Sequence, residues 1–111
     1  MTIKELALSI DAKNLTPALD SEREINGGYA CDLLSWVMAH GEEGMAWTTV
    51  QTHMNVIAVA ALHDMACVII PEGITMEDEV INKAEAEGIA VLSSPLSSYE
   101  ICGRMYAAGV A

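Results

Sequence analysis

Three features of the sequence predict a single-domain α/β fold, a layered sandwich in which a mostly parallel, mixed sheet of about four to five strands is flanked by helices. Short runs of strand-forming residues recur at 45–50, 67–70 and 89–92. Helical stretches separate them, the second closed by Gly88. The intervals suit right-handed β-α-β crossovers and are too long for hairpins. With 111 residues, 52% of them hydrophobic, and no internal repeat or composition break, residues 1–111 read as one domain.

The elements follow in order. Thr2 and Glu5 have capping-box spacing ahead of Ile3, Leu6 and Ile10, which predicts a short first helix over 2–10. Pro17 cannot donate to a sheet ladder, so any strand within 14–19 must be short and at an edge. Residues 23–30 read as extended, interrupted by Gly27-Gly28, which permits a bulge or a close approach of backbone to a ligand, with a purely structural role as the plainer alternative. Residues 31–40 read as a helix stopped by Gly41, with Asp32 suited to its N-terminus, and 45–50 as a strand. A helix over 55–65, a strand at 67–70, a helix over 76–87 closed by Gly88, a strand at 89–92 and a helix over 97–108 complete the alternation.

The helices differ in pattern. In 76–87, Val80, Ile81 and Ala84 share a face opposite Glu77, Asp78, Glu85 and Glu87, the pattern of an outer helix. Residues 56–62 are apolar all round, which calls for cover on both sides, and a second protomer is a natural source of it. Trp36, Met38, Met45 and Trp47 either add to such a surface or fill the core.

Sixteen acidic residues against five basic ones give a net charge of -11, while the mean hydropathy is positive at +0.32. So few cations argue against nucleic-acid binding and against anionic membrane surfaces. The longest apolar run, 56–62, is far short of a membrane span, and no basic start with a long apolar region opens the chain; a cytoplasmic location is expected. Cys31, Cys67 and Cys102 are odd in number and widely spaced, so reduced, mostly buried thiols are expected rather than disulfides or a zinc site.

In open α/β sheets ligands bind beyond the carboxyl ends of the strands, which directs attention to three turns. Gln51, Thr52, His53 and Asn55 follow one strand, Pro71-Glu72-Gly73 the next, and Ser94 and Ser97 stand in the turn after the third. Together with Gly27 and Gly28 these polar residues are the candidate ligand-binding set, suited to a small polar or anionic group. The plainer alternative is capping: Thr52 or Asn55 for the third helix, Ser97 for the last. At a helix N-terminus the dipole disfavours imidazolium, so His53 would serve as a neutral donor or acceptor. His40 and His63 fall at helix C-termini, where structural roles suffice. No metal-ligand spacing, phosphate loop, dinucleotide fingerprint or nucleophile elbow occurs, and neither catalytic residues nor a cofactor are assigned.

The segments 24–38, which contains Asn26-Gly27-Gly28-Tyr29, and 47–60, which contains Gln51-Thr52-His53-Met54-Asn55, together with 89–100, resemble the DRTGG-domain family over nearly the whole chain. Arg23 and Gly27-Gly28 are present, although the Asp-Arg-Thr-Gly-Gly string itself is not. The resemblance implies an α/β domain like the N-terminal domain of HPr kinase/phosphorylase, of the kind attached to phosphotransacetylases and found between CBS domains in some pyrophosphatases. It implies a regulatory or dimer-forming role. Stand-alone domains of this kind are associated with anaerobic bacteria, sometimes beside iron-only hydrogenase genes, and generally have no assigned activity.

The expectation is therefore a non-catalytic, homodimeric regulatory or sensor domain that binds a small polar metabolite or nucleotide at the strand ends. An assembly module for a larger redox or signalling enzyme is the alternative. A small hydrolase or transferase is a third, and it requires His53 to gain an acidic or nucleophilic partner on folding.

Overall fold

The computed structural model describes residues 1–111. Helices α1 (Ile3–Ser9), α2 (Leu34–His40), α3 (Met54–Leu62), α4 (Asp78–Glu87) and α5 (Ser98–Ala107) alternate with strands β1 (Lys13–Asn14), β2 (Gly27–Ala30), β3 (Met45–Thr48), β4 (Cys67–Ile70) and β5 (Ala90–Ser93). One five-stranded sheet has the order β1-β5-β4-β3-β2. Strands β2 to β5 are parallel neighbours, and β1 pairs antiparallel with β5 at one edge. This is the mixed α/β sandwich expected. The edge strand spans two residues and ends before Pro17, as that proline requires.

Strand alternation divides the core. Trp47, Val68, Ile70 and Val91 point to one face, where α2, α3 and α4 bring Val37, Val56, Ile57, Val59, Val80 and Ala84. Ala46, Cys67, Ile69, Ala90 and Leu92 point to the other, where α1 and α5 bring Ile3, Leu6, Ile101 and Met105. Both faces of β4 are thus covered, and all four of its residues are buried.

Local signals set several boundaries. Thr2 and Glu5 form the full capping box on α1, Thr2 Oγ1 accepting from Glu5 N–H at 3.1 Å and Glu5 Oε1 from Thr2 N–H at 3.0 Å. The hydrogen bonds from Thr2 hold the Glu5 carboxyl below its ordinary value. Gly88 closes α4 at φ 75°, a left-handed position that suits glycine.

Two expectations change. The apolar α3 receives its second cover from within the chain, because it is the middle of three helices on its face, packed between α2 and α4. Val56, Ile57, Val59 and Ala60 are buried, and within the apolar run 56–62 only Ala58 and Leu62 remain exposed. Trp36, Met38, Met45 and Trp47 also part company. Trp47 is fully buried with its indole N–H donating to Cys31 O at 2.8 Å, Met45 is half-buried, and Trp36 and Met38 lie exposed on α2. Of the thiols, Cys67 is buried while Cys31 and Cys102 are half-buried, and all three are free.

Candidate functional site

The carboxyl ends of β2 to β5 lie on one edge of the sheet, and the three polar turns emerge there. The chain leaves β4 for α4 on one face and β5 for α5 on the other. Such a divergence ordinarily opens a ligand crevice. Here the two turns close on each other. Ser94 N–H donates to Ile70 O at 2.9 Å, Gly73 N–H to Ser94 O at 3.0 Å, and Glu72 N–H to Leu96 O at 2.8 Å. The Ser94 hydroxyl is fully buried, donates to Ile10 O at 2.7 Å and accepts from Leu96 N–H at 3.1 Å. Ser94 therefore binds α1 and its own turn to the sheet end.

The open concavity lies one strand further along. A cleft of about 470 Å³ separates the β3–α3 turn from the start of α4, lined by Val50, Gln51, Thr52, His53, Met54, Glu77, Glu79 and Val80. Asp32 shapes the turn: its Oδ1 accepts from Thr49 Oγ1 at 2.8 Å and from Val50 N–H at 2.9 Å, and its backbone oxygen accepts from Gln51 Nε2 at 3.3 Å. Asp32 thus joins the turns after β2 and β3, whereas Leu33 occupies the N-cap of α2.

His53, not Thr52 or Asn55, is the N-cap of α3. Its Nδ1 accepts from Asn55 N–H at 3.1 Å. An accepting Nδ1 places the ring proton on Nε2, which leaves one donor for a ligand. The bond partner is a backbone N–H and not a carboxylate, thiol or hydroxyl, so this geometry does not build a nucleophile–base pair.

Of the candidate residues, Gln51, Thr52 and His53 share the cleft. Asn55 is exposed on the first turn of α3 beside it. Ser97 caps α5, accepting from Glu100 N–H at 3.1 Å, and borders a separate shallow hollow with Tyr99 and Arg104 on the opposite face of the sheet. Gly27 and Gly28 lie in β2, where α5 and the C-terminal residues approach. A Cβ on Gly28 would stand 2.7 Å from Met105 Cε, and one on Gly27 3.2 Å from Ala111 O. The close approach at these glycines is made by the protein's own α5 and C-terminal residues. His40 Nδ1 pairs with Trp36 O at 2.9 Å and His63 Nε2 with Met38 O at 2.8 Å, both bonds to helical carbonyls.

Glu77 and Glu79 are also cleft residues, although the sequence pattern gives Glu77 only to the solvent side of an outer helix. They give one wall two carboxylates, and the cleft has no lysine or arginine in its lining. Arg23, named beside Gly27-Gly28 in the family resemblance, works elsewhere. It clamps the α3–β4 turn through Asp64 Oδ1 at 3.2 Å and Asp64 O at 2.8 Å.

No protein-family profile and no curated protein matches the chain. A solved structure does: the CBS and DRTGG domains of the regulatory region of Clostridium perfringens pyrophosphatase, complexed with its activator diadenosine tetraphosphate. The two share a fold. Their TM-score is 0.72 at 14% identity over 94% of this chain, which spans 45% of the length of the other. The likeness supports a DRTGG-like fold, and the neighbour is a regulatory region that binds a nucleotide. No helix of the chain is long and apolar enough to cross a membrane.

Proposed function

We propose that this chain is a non-catalytic regulatory domain, homodimeric and cytoplasmic, that senses a small polar molecule in the cleft between the β3–α3 turn and α4. The observation that carries the reading is the convergence of Gln51, Thr52 and the free Nε2–H of His53 on one open cleft, in a fold shared with a nucleotide-binding regulatory region. Glu77 and Glu79 narrow the ligand. A polyanion directed into the cleft meets two carboxylates without a compensating cation, so neutral or cationic groups rich in donors fit best. A nucleotide would enter by its base or ribose, with the phosphates turned outward.

A thermal-shift panel of nucleosides, nucleotides and amines tests this. A ligand at 100 times its Kd adds about 2.7 kcal/mol, a rise in Tm of roughly 10 °C for a domain of this size. The rise should vanish in Gln51→Ala and be smaller for a triphosphate than for its nucleoside. No rise with any compound rejects the sensing role. The exposed Leu33, Trp36 and Met38 favour one further reading, an assembly module for a larger enzyme. In that case the chain would bind no small molecule.

A further inference from the structure

We propose that a second copy of this chain docks on the surface formed by α2, the outer edge of β2 and the end of α3. This rests on the homodimer reading above and gives it a location. The argument begins with charge. From residue 25 to residue 63 the only ionic side chains are Asp32, Glu42 and Glu43, and no lysine or arginine stands between Arg23 and Lys83. The remaining 72 residues carry thirteen acids and all five cations, eighteen ionic side chains for a net of -8. Two such acidic chains repel each other, and the fewest charges are brought together where both surfaces are charge-poor, as around α2, whose only ionic neighbours in sequence are Asp32, Glu42 and Glu43.

That sector is also where apolar side chains face water. Leu33 is 61% exposed, Trp36 52%, Met38 51% and Leu62 66%. The His63–Met38 hydrogen bond sets the end of α3 against α2, and Trp36 and Met38 flank the buried Val37 on the two sides of α2. Strand β2 pairs only with β3, so its outer edge is open. On the other face of the sheet, beside Gly28, Met105, Tyr106 and Val110 line an apolar hollow of about 230 Å³.

The sector offers no cation to an acidic or nucleic partner, and a basic partner would be drawn to the acids elsewhere. It fits another charge-poor apolar face, and a second copy supplies one by two-fold symmetry. A stable interface takes ~800 Å² from each partner, about a seventh of this chain's 5633 Å² surface, so α2 must act together with the β2 edge.

Sedimentation equilibrium of the full chain, with Trp36→Glu, Leu33→Asp and, as a control outside the sector, Tyr99→Glu, decides the matter. Circular dichroism establishes that each variant is folded. The wild type should be dimeric, with a dissociation constant raised ~30-fold or more in Trp36→Glu and Leu33→Asp and unchanged in Tyr99→Glu. Dimerisation should strengthen from 50 to 500 mM NaCl as the repulsion is screened. It should also protect Trp36 from acrylamide quenching, since Trp47 is buried in either state. A monomeric wild type at 100 µM overturns the homodimer reading. A dimer that survives both substitutions, or that weakens with salt, overturns the docking surface alone and leaves the homodimer standing.

Discussion

Replacing Ser94 with alanine probes the closure of the sheet end. The side chain has no solvent exposure and makes two hydrogen bonds, donating to Ile10 O and accepting from Leu96 N–H. Truncation strands both partners, and a buried polar group left unpaired costs about 1–3 kcal/mol. Leu96 is half-buried, and its N–H regains part of its loss from water, so a total of ~2–3 kcal/mol is expected. At roughly 2.1 cal/mol/K of unfolding entropy per residue, the chain has ~0.23 kcal/mol/K, and Tm should fall by about 10 °C. Differential scanning calorimetry measures this directly. Ser94→Ala should leave the ligand response of the β3–α3 cleft intact, because Ser94 does not line it. A drop under 2 °C would refute the closure argument, and so would a lost ligand response in a folded variant.

Three further outcomes follow from single sites. His53→Ala should cost about 1 kcal/mol through the lost α3 cap, whereas His53→Asp should retain stability by capping in its place; equal urea midpoints for the two would contradict the cap. Glu72 holds φ 61° on an exposed turn and keeps its backbone bond to Leu96 O in any residue, so Glu72→Gly should stabilise by ~0.5 kcal/mol, the left-handed penalty less the entropy of glycine. In thiol labelling, Cys31 and Cys102 should react promptly and Cys67 only on unfolding, since burial, slightly opposed by Arg23, pushes its thiol from 9.0 up to about 12. A raised folded value favours the native state fully below pH 9.0. Between 9.0 and about 12 that contribution falls by ~1.4 kcal/mol per pH unit, and comparison with Cys67→Ala isolates it.

What could be read in advance was local. The Thr2–Glu5 box, the Gly88 stop and the Ser97 cap each depend on residues within one helical turn, and the sequence shows them directly. The sheet followed from the spacing of its strands. Contacts across the fold escaped. Ser94 is polar and stands in a turn, the description of a ligand residue, yet its partner lies 84 positions away. Asp32 has the identity of a helix cap, but Thr49 and Val50 compete for its carboxylate. The uniform greasiness of α3 measures how many neighbours it has without naming them, and the neighbours turned out to be α2 and α4. Glu77 and Glu79 became cleft residues because α4 begins beside a turn encoded some 25 positions earlier.

The missing cations between Arg23 and Lys83 have a practical consequence. Trypsin has no site across that interval, so the cleft turn and the apolar face leave a digest together on one long peptide. Amine-directed cross-linkers find no anchor there either. A partner docked on that half of the molecule would escape the standard chemistry used to map complexes, while carboxylate-directed coupling through Glu42 and Glu43, or photo-cross-linkers placed at Trp36, would record it.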